Sequence, residues 1–218
     1  MSPDTDTPTP RGLPGPLPEG EHILWQGAPQ ARAFAREALH ERLVILYFVT
    51  AACVVAAVSW SKGRSPAEIA VALALTAAAC LAVVGLIRGY AALVARTSVY
   101  TLTSRRIVMR IGIAWPVTLN LPHAEIAGAA VRADPDGTGD LPIALGGTGR
   151  IAFVHLWPHA RPWRVARPEP MLRAVPDVAQ VAALLARSLG SGPLGRAAAA
   201  RAESVSAPDL AGKPAAAA

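Results

Sequence analysis

Two long uncharged runs of apolar residues constrain this chain more than any other feature. Residues 43–61 and 69–87 each extend for 19 positions without an acidic or basic side chain. As α-helix, each run would be about 28 Å long, close to the roughly 30 Å hydrocarbon core of a bilayer. A connector of seven residues joins the runs. The sequence therefore predicts a transmembrane hairpin with spans at 43–61 and 69–87, and a buried helix pair of a soluble α/β protein is the less favoured alternative.

Basic residues near the runs predict the orientation of this hairpin. Seven lie on the side that both chain ends share and two lie in the connector, so the positive-inside rule places both termini in the cytoplasm. The formal net charge of +6 then faces an anionic leaflet. No nucleic-acid-binding signature accompanies it, so no nucleic acid partner is predicted. The seven are Arg32, Arg36, Arg42, Arg88, Arg96, Arg105 and Arg106, and the two are Lys62 and Arg64.

The segments outside the hairpin differ in composition. Residues 1–21 are polar and rich in proline, which predicts a disordered tether, and residues 190–218 are predicted to be a disordered Ala/Pro-rich tail. Residues 22–42 are predicted to be a juxtamembrane amphipathic segment. Within it, a helix from Gln30 to Leu43 would place Phe34 opposite Arg36 and lead into the first span.

Beyond residue 97 the apolar pattern changes to a period of two, which is typical of strands. A helix should follow Pro176 and Asp177, since apolar residues recur there on one helical face. The chain is thus predicted to be an α+β membrane protein, in which residues 97–189 form an antiparallel β-barrel or sandwich with a C-terminal helix. The expected strands are SVYTLT, RRIVMR, WPVTLNL, EIAGAAVRA, LPIAL and RIAFVHLW, with DPDGTGD and GGTG as turns.

Small residues recur every fourth position along the second span. Such a stripe lets another helix approach closely, either from within the hairpin or from a second copy in a homodimer. An Ala-rich composition without a special contact is the alternative. The stripe consists of Ala70, Ala74, Ala78 and Ala82, and its expected partners within the hairpin are Ala52 and Ala56.

The loop WPHARPWRVARPEPMLR interleaves tryptophan with arginine and contains four prolines, which favour an extended, exposed segment. Tryptophan and arginine are typical of binding hot spots and of membrane interfaces. A protein-binding surface is the preferred interpretation, ahead of a loop facing lipid headgroups and one folded onto its own domain. The predicted partner-binding residues are Trp157, Arg161, Trp163, Arg164 and Arg167, followed by Arg105, Arg106 and Trp25.

No motif for catalysis, metal binding or cofactor binding is recognisable in the sequence. The Asp-rich turn departs from a calcium loop at Thr138 and Leu145, and GGTGR lacks the ending of a phosphate-binding loop. His155 and His159 are separated by Pro158, which breaks a helical ligand pair. The expectation is a protein that is not an enzyme and has no cofactor.

Three segments together carry a resemblance: PLPEGEHILWQGAP, TSVYTLTSRRIVMRIGIAWPVTLNLP and LWPHARPWRVARPEPMLRAVPD. Over roughly residues 17–189 the chain resembles the PuhB family of photosynthetic complex assembly proteins of purple bacteria. That family is similar to membrane-anchored bacterial PH-like domains. The resemblance implies an assembly factor in the inner (intracytoplasmic) membrane, with reaction-centre and light-harvesting subunits as partners. Alternatives are a PH-like module for anionic lipid headgroups and a bacteriochlorophyll carrier.

Overall fold

The computed structural model describes residues 10–146, 152–162, 164, 166 and 168–190. Within these ranges, one strand and a short helix precede two long apolar helices, which are followed by further antiparallel strands and a C-terminal helix. The helices are α1 (Ala31–Ala33), α2 (Glu41–Ser61), α3 (Pro66–Thr97), α4 (Phe153–Leu156) and α5 (Val178–Ser188). The strands are β1 (Ile23–Gly27), β2 (Val99–Thr103), β3 (Arg106–Ile111), β4 (Val117–Pro122), β5 (Ile126–Ala129), β6 (Arg132–Ala133), β7 (Gly139–Leu145) and β8 (Met171–Val175).

The hairpin helices α2 and α3 are both long and apolar enough to cross a bilayer. A capping box starts α3: the Ser65 hydroxyl accepts from the Glu68 amide, and the Glu68 carboxylate accepts from the Ser65 amide. This helix continues ten residues past the predicted span end at 87 and reaches Thr97. Its final turns therefore project beyond the apolar run.

Partial burial shows which face of α3 meets α2, and this face is not the alanine stripe. Between residues 69 and 87 of α3 the partly buried positions are 69, 72, 73, 76, 80, 83, 84 and 87, whereas Ala70, Ala74, Ala78 and Ala82 are exposed. The expected seam with Ala52 and Ala56 is thus wrong on the α3 side, because the stripe faces away from the partner helix.

The first sheet has the strand order β1-β2-β3-β4 and is antiparallel throughout. Its edge strand β1 precedes the hairpin in sequence, inside the segment 22–42 for which the sequence predicts a juxtamembrane position. Residues 10–21, assigned to the disordered tether, lie against this sheet: Leu13 is buried, and the Gln26 side-chain Nε2 donates to the Arg11 carbonyl at 2.7 Å. The folded domain therefore draws on chain from both sides of the hairpin.

The second sheet has the order β5-β7-β6, with β8 also paired to β7. The expected strand EIAGAAVRA is divided into β5 and β6, and the predicted turn DPDGTGD connects β6 to β7. The expected strand RIAFVHLW is wrong over Phe153–Leu156, which form the short helix α4 with Leu156 fully buried. In the described ranges the two sheets are not closed into a barrel.

Two apolar clusters stabilise this arrangement. The larger one packs α5 against both sheets through Val178, Val181 and Leu185. The smaller one joins α3 to the segment before the hairpin: Phe34 and Ala91 are completely buried in it. That segment is not one helix from 30 to 43, because the π-helical turn Phe34–Ala38 ends at Leu39 and His40 adopts a left-handed conformation (φ 56°) before α2 begins.

Candidate functional site at the base of the hairpin

The base of the hairpin is fixed to the folded domain. Val94 and Ala91, on the projecting turns of α3, are buried against Phe34. An ion pair of 2.6 Å between Arg88 Nη2 and Glu41 Oε1 ties α3 to the first turn of α2. Any ligand or partner held here would therefore be held in a defined position relative to both helices.

An aromatic cluster lies on one side of α3 at this base. The ring of Trp157 lies 6.0 Å from the ring of Tyr90, centroid to centroid, and 56% of Trp157 is exposed. Together with Ile113 these residues line a cavity of about 170 Å³. We call Tyr90, Ile113 and Trp157 the aromatic face. Trp115, in the same turn as Ile113, is 84% exposed.

The buried side chain of His159 lies behind the aromatic face and also lines the cavity. The His159 ring is hydrogen-bonded to the Tyr100 hydroxyl at 2.7 Å and to the Ser98 hydroxyl at 3.3 Å. Burial, with a smaller contribution from the Arg173 charge, lowers the pKa of His159 to about 3, so the ring is neutral at physiological pH. His159 therefore anchors the segment that carries Trp157 onto β2.

Two arginines of the tryptophan and arginine loop form ion pairs with the same glutamate of that loop. Arg161 Nη1 lies 2.7 Å from Glu169 Oε2, and Arg164 Nη1 lies 3.6 Å from the other oxygen of the same carboxylate. Trp163 and Arg167 lie outside the described residues. Among the described residues of the loop, Trp157 is exposed and lies beside the hairpin helix α3.

The three secondary candidates have different surroundings. Arg106 donates to the buried carboxylate of Glu21 through Nε at 2.8 Å and Nη2 at 2.9 Å, so its guanidinium group is already bound within the folded domain. Burial opposes ionisation of Glu21, but hydrogen bonds from Arg106 and Thr103 outweigh it and lower the pKa of this carboxyl. Arg105 is exposed. Trp25 is partly buried and packs against the larger apolar cluster.

A basic cavity of about 530 Å³ also opens at the hairpin base, between α1, the start of α2 and α3. Arg88 and Tyr90 are two residues apart on α3, about 200° around the helix, so this cavity and the aromatic face flank α3 on opposite sides. We call the cavity the arginine pocket; it is lined by Arg32, Arg36, Arg42 and Arg88 with Ala31, Ala35, Glu41 and Ile45. The sequence predicts the orientation of the hairpin from these four arginines but not a common site, because their convergence depends on tertiary packing.

Comparison with known proteins agrees with this architecture. The sequence profile described as "Bacterial PH domain" matches residues 43–189, which includes the hairpin as well as most of the strands. This chain belongs to the bacterial PH domain family. The PH-like domain expected from the sequence is thereby confirmed, with the difference that its first sheet begins before the hairpin.

One curated protein is similar to this chain over most of the length of both sequences. A Rhodobacter capsulatus protein described as "Uncharacterized 23.7 kDa protein in puhA 5'region" is 33% identical over 178 residues. The alignment covers 81% of this PH-domain chain and 83% of that relative. No solved structure matches the chain significantly.

Proposed function

We propose that this PH-domain protein is a non-enzymatic assembly factor for the photosynthetic reaction centre and its light-harvesting complex. The observation that carries the proposal is the 33% identity to a Rhodobacter capsulatus protein described by its place in the puhA 5′ region, which agrees with the resemblance to the PuhB family. The hairpin would anchor the protein in the bacterial inner membrane with both termini in the cytoplasm, following the seven to two distribution of basic residues.

The hairpin base supports a holding role rather than a chemical one. Because α3 continues from the apolar run into the folded domain, a subunit could be contacted both within the membrane and just outside it. Trp157 offers a large, rigid apolar surface at that level, which is typical of binding hot spots. The reaction-centre and light-harvesting subunits are the proposed partners of this aromatic face.

The test is Trp157→Ala in the full-length protein, expressed in a phototrophic host that lacks the native copy. A hot-spot tryptophan contributes about 2 kcal/mol or more, so subunit affinity should fall roughly thirtyfold. We expect fewer co-purifying reaction-centre subunits and lower reaction-centre absorbance in the membranes, at equal abundance of the assembly factor.

The matched control is Trp60→Ala. Trp60 is 77% exposed and lies at the opposite end of the hairpin, next to the connector. It tests whether the loss of any exposed interfacial tryptophan has the same effect. Normal complex levels with Trp157→Ala, or an equal loss with Trp60→Ala, would contradict docking at the aromatic face.

A further inference from the structure

The arginine pocket lies at the level where the apolar surface of the hairpin ends. Glu41 and Arg42 directly precede the uncharged run 43–61, and Arg88 directly follows the run 69–87. If the hairpin is inserted as the proposed function requires, the sides of the pocket formed by α2 and α3 lie at the headgroup layer of one leaflet. Its depth is therefore that of a phospholipid phosphate.

Positive charge dominates the lining of this pocket. Four arginines face a single lining carboxylate, Glu41, which is held by Arg88. Arg36 is held by Glu37 and Asp136 at the domain side. Arg32 and Arg42 are exposed, and neither forms an ion pair within the described part of the chain. Two guanidinium groups are thus fixed by carboxylates and two remain available.

The remaining lining suits a molecule that is polar at one end and apolar at the other. Ala31 and Ile45 provide apolar surface, and Ile45 lies one turn along α2 from Glu41 in the direction of the apolar run. The volume of about 530 Å³ is within the range of roughly 300 to 1,000 Å³ typical of small-ligand sites. Guanidinium groups recognise phosphate oxygens through paired hydrogen bonds.

We propose that the arginine pocket binds the phosphodiester headgroup of an anionic phospholipid, with its acyl chains lying along α2. The excess of positive charge in the lining disfavours zwitterionic headgroups, whose ammonium group would be repelled. This inference rests on membrane insertion of the hairpin but not on any reaction-centre partner. It assigns a lipid site to the base of the hairpin rather than to the sheets of the PH domain.

The experiment uses the full-length protein purified in a neutral detergent, with phosphatidylglycerol and phosphatidylcholine as probes. Native mass spectrometry measures how much of each lipid remains bound. We expect wild type to retain phosphatidylglycerol at least tenfold more strongly than phosphatidylcholine. Arg32→Gln combined with Arg42→Gln should lower phosphatidylglycerol binding about tenfold or more, because both available guanidinium groups are lost.

Two further variants separate recognition from general charge. Arg64→Gln removes an exposed arginine at the connector end and should leave lipid retention unchanged. Arg32→Lys with Arg42→Lys keeps the charge but removes the fork, so retention should fall severalfold. Retention by the double Gln variant equal to wild type, or an equal loss with Arg64→Gln, would overturn the proposal.

Inorganic phosphate distinguishes a lipid from a soluble anion. Millimolar phosphate should not displace bound phosphatidylglycerol, and full displacement would overturn the lipid assignment in favour of a free-anion site. Alkaline extraction of membranes is performed first. Release of the protein would contradict the membrane anchor and this inference together, whereas a retained protein without lipid preference would contradict the inference alone.

Discussion

At the scale of single residues, His159 couples the stability of the folded domain to pH. Its pKa is lowered from 6.5 to about 3 by burial, while the unfolded chain binds the proton near pH 6.5. Between these values the unfolded state holds more protons, so stability falls as the pH decreases. From pH 7 to pH 5 we expect a loss of about 2 kcal/mol from this residue, measured by thermal unfolding of the purified protein.

Substitution of the histidine should remove this dependence. His159→Asn is expected to be less stable than wild type at pH 7, because a buried ring between Tyr100 and Ser98 is lost, but to show a flatter decline towards pH 5. His22→Asn, at an exposed position, is the matched control and should retain the wild-type decline. An unchanged pH profile in His159→Asn would assign the acid sensitivity to other groups.

The contact between Glu21 and Arg106 gives a second prediction at this scale. Glu21→Gln should lower the free energy of unfolding by about 1 to 3 kcal/mol, because a buried carboxylate with charged hydrogen bonds is replaced by an amide. Arg106→Ala should have a similar effect, whereas Arg105→Ala at the exposed neighbour should remain within about 0.5 kcal/mol of wild type. Denaturant unfolding measures all three, and equal effects of the two arginine variants would contradict a structural role for Arg106.

This pair also shows why sequence reasoning could not separate the two arginines. Arg105 and Arg106 are adjacent in the sequence, yet Arg105 is exposed and Arg106 is partly buried. The partner of Arg106 lies 85 residues earlier, before the hairpin. No local pattern carries that information, since it depends on β1 joining the sheet.

At the scale of elements, the local apolar period of the sequence predicted the strands and the helix whose formation depends mainly on neighbouring residues. The strands SVYTLT, RRIVMR and WPVTLNL correspond to β2, β3 and β4, and the residues after Pro176 form α5 with the expected buried face. β1 was missed because its sequence neighbours suggested a membrane-proximal helix and its pairing partner lies beyond the hairpin. α4 was mistaken for a strand because a short apolar run carries no decisive period.

The outward alanine stripe gives the prediction for this scale. Ala74→Leu with Ala78→Leu adds volume on a face that does not contact α2, so the thermal stability of the protein in detergent should not change. Ala52→Leu with Ala56→Leu is the matched control, with the same spacing but on the partly buried face of α2, where overpacking should cost about 1 to 3 kcal/mol. Equal destabilisation by both pairs would contradict the exposed placement of the stripe.

At the scale of the whole molecule, the hairpin is an insertion into one folded domain. β1 precedes it and β2 follows it, yet the two strands pair directly, from Ile23 with Thr103 to Gly27 with Tyr100. Both flanks must therefore lie on the same side of any membrane that the hairpin crosses. The contact between Glu41 and Arg88 also brings the two ends of the insertion together.

This topology predicts which part of the chain can fold without a membrane. If residues 43–87 are replaced by a short Gly/Ser linker, Arg42 and Arg88 remain close enough to be joined, and both apolar spans are removed. The shortened chain keeps β1, the Phe34 cluster and the last turns of α3. We expect a soluble, monomeric protein that unfolds cooperatively, as measured by size-exclusion chromatography and thermal circular dichroism.

The matched comparison is the fragment 97–190, which contains every strand except β1. All five residues of β2 are buried in the complete chain, so loss of its neighbour exposes an apolar strand edge that favours aggregation. The fragment also lacks Phe34 and Ala91, which leaves Ala174 of the smaller cluster uncovered. It should aggregate or unfold without a cooperative transition, because a sheet that is completed across the membrane insertion cannot be formed by the residues after it. A fragment that melts as cooperatively as the linker variant would show that β1 is dispensable and that the domain begins after the hairpin.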